Sequence, residues 1–381
     1  MSPAQGLRAA NDVTNPNDLE SWWLPFTANR SFKARPRIVA RAKDMYYYTT
    51  DGKQVMDGSA GLWCVNAGHN REPIVEAIQK QAAELDFAPA FQFAHPKGFT
   101  VASRLAELAP GDLDQVFFCN SGSEAADTAL KIAIAYWHTQ GQGQRSRLIG
   151  RERGYHGVGF GGISVGGIVA NRKVFGSMLA GVDHLPHTYN RSEQAFSRGE
   201  PEWGAHLADD LERIVALHDA STIAAVIVEP MAGVIVRKGI YEAFMKGPEH
   251  VIELFHGYTY SGHPLACAAA LATLDVYRDE KLFERARGLE DKWADAIFSL
   301  KGLPNVLDIR TIGLVGAIDL ASRPDAVGQR GYEAMERGFH EHGLMFRVTG
   351  DTIALSPPLI VTEDQIGEIA DKVAKVIRAV A

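Results

Sequence analysis

An apolar, strand-like run, Val116-Phe117-Phe118-Cys119, passes through Asn120-Ser121-Gly122-Ser123 into a helix-forming stretch that opens Glu124-Ala125 and continues to about Trp137. The start of a helix leaves amide donors unpaired and presents the positive end of its dipole, so a Ser-Gly-Ser turn there suits a phosphate. The same residues also read as a plain capping box, Ser121 with Glu124, and the stretch alone does not choose between the two. Farther on, Gly154-Tyr155-His156-Gly157 sets a phenol ring and an imidazole between glycines, which let a flat ligand or another backbone come close. Ordinary packing would account for that tyrosine as well. The run Ile223 to Val228 ends in Glu229-Pro230, a carboxylate just past the C-terminal edge of a buried strand, where open parallel sheets bind ligands. Capping the next helix or facing water is the alternative. His256-Gly257-Tyr258-Thr259-Tyr260-Ser261-Gly262-His263-Pro264 carries more hydroxyls than a plain linker needs. Its histidines, and the pair His184 and His187, lack a third ligand at metal spacing, so no metal site is expected. Gly157-Val158-Gly159-Phe160-Gly161-Gly162 matches the dinucleotide fingerprint, with Asp183 at the distance of a ribose-binding acid. That match reads as false, because Ile163 to Ala170 is glycine-rich and β-branched and no helix is expected to open at Gly162.

The elements that must position these residues follow from periodicity. Two amphipathic helices, one through Ile74, Val75, Ile78, Ala82 and Leu85 and one through Phe99, Ala102, Leu105 and Ala109, precede Val116–Cys119, read here as the first short buried strand. Leu148-Ile149 and Ile223 to Val228 are further compact runs separated by helical or irregular stretches, the grammar of a parallel sheet covered by helices. Near the C-terminus short strands around Val306–Ile309, Leu314–Leu320, Leu344–Val348 and Thr352–Leu355 predict a separate α+β lobe, the last two joined by a Gly350-Asp351 turn. A closing helix is capped by Thr362 and Gln365 and periodic in Ile366, Ile369, Val373, Val376 and Ile377.

Composition narrows the function classes. The 381 residues are 46% apolar and 22% charged, enough for a sizeable core, and no window approaches the apolar run of about 20 residues that spans a membrane. A net charge of -7 without a basic block argues against nucleic acid or an anionic membrane as partner. Three widely spaced cysteines, Cys64, Cys119 and Cys267, fit reduced thiols. Met1 to Asp12 lacks a charged-then-apolar signal pattern, so the cytoplasm is the expected compartment.

In order and spacing, Trp23-Leu24-Pro25-Phe26, Gly61-Leu62-Trp63, Asn120 to Ala125, Gly154 to Gly157, Val228-Glu229-Pro230 and His256 to Ser261 resemble the class III, fold-type I pyridoxal-phosphate aminotransferases, in their omega-amino-acid:pyruvate group. The resemblance covers nearly the whole chain. It implies an α/β fold-type I PLP-transferase, with a mainly parallel central sheet in a large domain of residues 71–280. A smaller α+β lobe would come from both chain ends, 281–381 with contributions from 1–70. It implies pyridoxal phosphate as cofactor, small-molecule amine and keto acid as substrates, and a homodimer, whether or not two dimers pair into a tetramer. Carried over residue by residue, Ser121, Gly122 and Ser123 would hold the phosphate, joined by Thr259 from the second subunit. Tyr155 would lie over the pyridine ring with His156 beside it, and Glu229 near its phenolic side. Phe26, Trp63, Phe91 and Phe93 would shape the substrate pocket, and Arg347 would clamp a carboxylate through its bidentate fork.

One departure is large. After Glu229-Pro230-Met231-Ala232-Gly233 the family pattern continues through an aspartate that pairs with the pyridine nitrogen and a strand leading to the cofactor lysine. Here Gly233 runs directly into Val234-Ile235-Val236-Arg237-Lys238, which resembles a stretch well beyond that lysine. On the order of 60 to 70 residues are missing, enough for at least two central strands with their helices. Lys238 has none of the lysine motif around it. The expectation is that the native protein contains the segment; a true deletion product, or another reaction on the same scaffold, is the alternative.

Overall fold

The computed structural model describes residues 19–228 and 234–381. The chain divides into two compact units, a first of residues 1–70 and 283–381 and a second of residues 71–282.

The first unit opens with an antiparallel meander, β1 (Val39–Lys43), β2 (Tyr46–Thr49) and β3 (Gln54–Asp57). These strands, not the Val116 run, come first in the chain. They are illegible by periodicity because β1 is mostly exposed and β2 half-buried throughout, so neither alternates apolar with polar.

The second unit carries β4 (Leu113–Phe117), β5 (Arg147–Arg151), β6 (Val182–Leu185), β7 (Ile223–Val226) and β8 (Val234–Arg237). Helices Glu72–Glu84 and Pro96–Leu108 precede β4 as the periodicity predicts. Strand β4 ends two residues earlier than expected, since the Phe118 carbonyl accepts a hydrogen bond from Ser261 Oγ (2.8 Å) instead of a neighbouring strand. The five strands do not make one mainly parallel sheet. β5 lies between β6 and β7, all parallel, while β4 pairs antiparallel with β8 in a separate two-stranded sheet. The reason is connection length: a parallel crossover needs about a dozen residues or more, and only residues 227–233 separate β7 from β8. Helix Gly122–Thr139 holds both pieces. Ala125 and Ile132, seven residues apart and so on one face, pack with Val234 and Phe117, while Leu130 packs with Leu148, Val165 and Ala225. Each fully buried aliphatic side chain there contributes about 1.5–3 kcal/mol. The sequence reading passed over β6, and Asp183 stands inside it, paired with Arg147 (2.8 Å) on β5. A short helix, Phe160–Val165, does form where none was expected. Tertiary packing overrides propensity: Gly162 to Val165 are buried and the Gly162 amide donates to Asp127 Oδ1 (2.7 Å).

The chain returns to the first unit as β9 (Val306–Ile312), β10 (Val315–Leu320), β11 (Leu344–Met345), β12 (Arg347–Thr349) and β13 (Thr352–Leu355). An antiparallel sheet runs β12-β13-β10-β9, and β11 joins β3 in parallel to complete a second four-stranded sheet. The expected single strand Leu344–Val348 is thus two strands in different sheets, parted at buried Phe346. The last helix, Glu363–Ala379, starts at a complete Thr362/Gln365 capping box and buries Ile366, Ile369, Val373, Val376 and Ile377.

Candidate functional site

In the second unit the Ser-Gly-Ser turn sits at the head of an 18-residue helix. Ser121 is its N-cap, accepting from the Glu124 amide (3.2 Å), and Glu124 Oε2 accepts from the Asn120 amide (2.7 Å). The capping-box reading is thus seen directly. The cap consumes the Ser121 hydroxyl and the Glu124 amide, which leaves the Gly122 and Ser123 amides, the first of the helix, without an intrahelical acceptor.

The Tyr155 loop lies directly on this turn. Gly157 has φ +89°, and a Cβ there would stand 2.4 Å from Ser123 Cα, so only glycine permits the approach. Ser123 Oγ accepts from the Val158 amide (3.1 Å). One turn down the helix, Asp127 takes the Gly162 amide, and a Cβ at Gly159 would meet its Oδ2 at 2.3 Å. Asp127 was missed by the sequence reading; its signal is a carboxylate four residues after Ser123, on the same helical face. Tyr155 is 42% exposed and His156 is buried at 5%. The loop is thus fixed by its glycines and presents the Tyr155 ring.

The segment 256–261 is tied to the same helix. His256 Nε2 lies 2.8 Å from Thr128 Oγ1, and the Tyr258 hydroxyl donates to the Glu124 carbonyl (3.2 Å). Burial, then the nearby Lys131 ammonium, pushes the His256 imidazole below its ordinary value. Thr259 itself is exposed. Phe91 packs on Gly257, where a Cβ would come within 2.9 Å of its ring. With Phe93, Val116, Phe118 and His256 it lines a cavity of about 700 Å³. That cavity does not include the Ser123 turn or Tyr155, which borders a separate small hollow with His156 and Asn171.

In the first unit Phe26 is exposed at positive φ, and Arg347 stands half-buried on β12 opposite Ala354. Trp63, 49% exposed, ends a turn in which Ala60, Gly61, Leu62 and Trp63 all have φ between 46° and 61°. Three of the four are not glycine, each at a cost of about 1–2 kcal/mol. Glu229 lies outside the described residues. Among the described residues no group of three or more His, Cys, Asp or Glu could hold a metal ion, and no helix is long and apolar enough to cross a membrane.

The chemistry available at the Ser121–Ser123 turn is anion binding, and the residues fit the phosphate end of pyridoxal phosphate. Two amides and the dipole of a long helix point outward from a turn whose backbone the Gly157 loop fixes. A profile of the family described as Aminotransferase class-III matches residues 27–235 and 230–377. The omega-aminotransferase of Caulobacter vibrioides is 50% identical, over 95% of this chain and 98% of its own length. The beta-alanine–pyruvate aminotransferase of Pseudomonas aeruginosa is 37% identical, over 99% and 100%. The (S)-enantioselective omega-transaminase of Thermomicrobium roseum superposes with a TM-score of 0.85 at 27% identity, covering 96% of this chain and 97% of that one. The pairing with the Caulobacter relative runs over 430 positions, whereas 95% of 381 residues is about 362, so about 68 positions carry a residue only in the relative. The reach of the family match and the end-to-end likeness to these enzymes agree: the chain belongs to the class-III aminotransferases, in their omega-aminotransferase group.

Proposed function

We propose that this protein transfers an amino group from an omega-amino acid or a primary amine to pyruvate, giving alanine and an aldehyde, semialdehyde or ketone, on a fold-type I scaffold. The observation that carries the reading is the Ser121–Ser123 turn at a long helix start with the Gly157 loop seated on it. The Gly122 and Ser123 amides would hold the cofactor phosphate, and Tyr155 and His156 would hold its ring. Pyridoxal phosphate, when bound, supplies the electron sink for amine transfer. Arg347 pairs with the substrate carboxylate, and Phe26, Trp63, Phe91 and Phe93 shape the pocket. Thr259 is exposed while its neighbours Tyr258 and Ser261 are anchored, which suits a role at the phosphate of a second subunit, so the smallest complete site is a homodimer.

The chain as written lacks the lysine that would carry the cofactor, and with it the aspartate for the pyridine nitrogen. Three observations support this. The profile is matched in two stretches that meet at 230–235, about 68 positions of the closer pairing are unfilled, and the second unit's strands fall into two sheets. Lys131 faces His256 Nδ1 (3.4 Å) and Lys238 stands in an exposed pair with Glu242 (3.8 Å), so neither replaces it.

The test is to compare the chain as written with one carrying the relative's stretch after Gly233. The first should form no alanine from β-alanine and pyruvate and show no visible band of a lysine-bound cofactor; the second should do both. Turnover by the chain as written would refute the missing lysine. A band without transfer to pyruvate from any amine in a donor panel would refute the aminotransferase reading.

A further inference from the structure

Asp57 is fully buried at the end of β3, yet among the described residues it faces no cation of Lys or Arg. Its two carboxylate oxygens are spent on the turn that carries Trp63. Oδ1 accepts from the Ser59 amide (2.9 Å), and Oδ2 accepts from the Gly61 amide (2.8 Å) and from His69 Nε2 (2.8 Å). His69, 6% exposed, is itself fixed: its backbone exchanges both hydrogen bonds with Asp44 (2.8 and 2.9 Å), and its ring packs at 4.3 Å on Tyr47. The Tyr47 hydroxyl closes the far side, lying 3.1 Å from where a Gly61 Cβ would be. Burial, then the Asp57 charge, pushes that phenol up to about 12, so it stays protonated across the working range.

From these contacts we infer that Asp57 and His69 are positioning residues that hold the left-handed turn Ala60–Trp63 and thereby set where Trp63 stands. A run of four residues at positive φ has no intrinsic preference to form, since side-chain-bearing residues visit this region singly. What selects it here is amide capture. With the Ser59 and Gly61 amides gathered on one carboxylate, the chain must turn back on itself. Trp63, Cys64 and Val65 then donate to the Ser59 and Ala60 carbonyls at 2.8 to 2.9 Å, closing the turn. His69 keeps the carboxylate aimed by donating to the oxygen that also takes Gly61. The consequence for donor choice rests on the proposed role of Trp63 in the substrate pocket: Asp57 and His69 set amine-donor specificity without touching the amine.

Cys64, the one exposed cysteine, ends the turn and reports on it. The experiment follows Cys64 labelling by a disulfide reagent, and hydrogen exchange of the Gly61, Cys64 and Val65 amides, in the full chain and in Asp57→Asn, His69→Leu and His69→Gln. Asp57→Asn and His69→Leu should speed both by about tenfold or more, the scale of a charge-assisted hydrogen bond. His69→Gln, which retains a donor, should restore most of the protection, and the melting transition shows whether each variant is folded. If Asp57→Asn does not fold, the contrast between His69→Leu and His69→Gln carries the test. Unchanged exchange in folded Asp57→Asn, or equal exchange in the two His69 variants, overturns the inference. Binding of 1-phenylethylamine by calorimetry separates it from the pocket reading. If Trp63→Ala leaves that affinity unchanged while Asp57→Asn loosens the turn, the pocket reading fails and the positioning stands. If Trp63→Ala changes the affinity and Asp57→Asn leaves the turn intact, the positioning fails alone.

Discussion

The two units of this protein solve the same problem unequally. In the first, eight strands among the described residues form two four-stranded sheets, and the antiparallel one packs Trp293, fully buried, against Gly316 on β10. In the second, the five strands among the described residues fall into sheets of two and three, and there β7 and β8 are each bonded on one side only. A pair such as β4–β8 is marginal by itself, so its stability rests on helix Gly122–Thr139 and on the apolar cluster around Val234. That helix is also the one whose N-terminus holds the candidate phosphate turn. The lesson is that a helix-capped turn can be well formed locally while the strands behind it fall into separate sheets, because the turn's geometry is made by helix capping and glycine contacts, not by strand pairing.

The sharpest way to break this contrast is hydrogen exchange on the intact chain. Amides of β10 and β13 should be protected far more than those of β4 and β8. Trp293→Ala, which removes a fully buried side chain at a cost of about 3–5 kcal/mol, should erase most of that difference. Equal protection of the two regions in the unmutated chain would mean the second unit's sheet is not interrupted in effect.

A smaller effect is expected from chemistry assigned to the well-formed unit. In a chain carrying the Caulobacter relative's stretch after Gly233, Arg347→Ala should lower kcat/KM for β-alanine by about tenfold or more, the loss of a charge-assisted pair of about 1.5–3 kcal/mol, and spare an uncharged arylalkylamine. Equal losses for both donors would return Arg347 to the role of a solvated strand residue.

The smallest effect sharpens the comparison through pH. His256 has a folded-state pKa below its ordinary value of about 6.5, chiefly through burial, so the unfolded chain binds the proton more readily. Its contribution to stability is present above that ordinary value and lost as pH falls through it. The melting transition of the second unit should therefore drop on acidification from pH 7.5 to 5.5, and His256→Gln should flatten that slope. An unchanged slope would show that the Thr128 anchor does not depend on a neutral imidazole.

Much of the site was legible in the residues because its geometry is local. Ser121 to Glu124 state a helix cap in consecutive positions, and Thr362 with Gln365 state the last helix's start in the same way. Exposed or half-buried strands were not legible: β1 and β2 lack alternation, and β6 shows only a short run around Asp183. Asp57 was missed because nothing in the residues around it marks a carboxylate that gathers the Ser59 and Gly61 amides and the His69 ring, and Asp127 because its one mark, a place four residues after Ser123, does not show that it takes the Gly162 amide.

By itself the sequence determined the α/β class and the capped helices, since each is written in neighbouring residues or in spacing along one element. Only the tertiary structure decided that Gly157 must be glycine to lie on Ser123. It alone paired β4 with β8 apart from β5, β6 and β7, and gathered the amides of the Trp63 turn onto Asp57. Those contacts join residues that are distant along the chain or turned into unusual backbone, and their energies exist only once the surrounding core has excluded water from them.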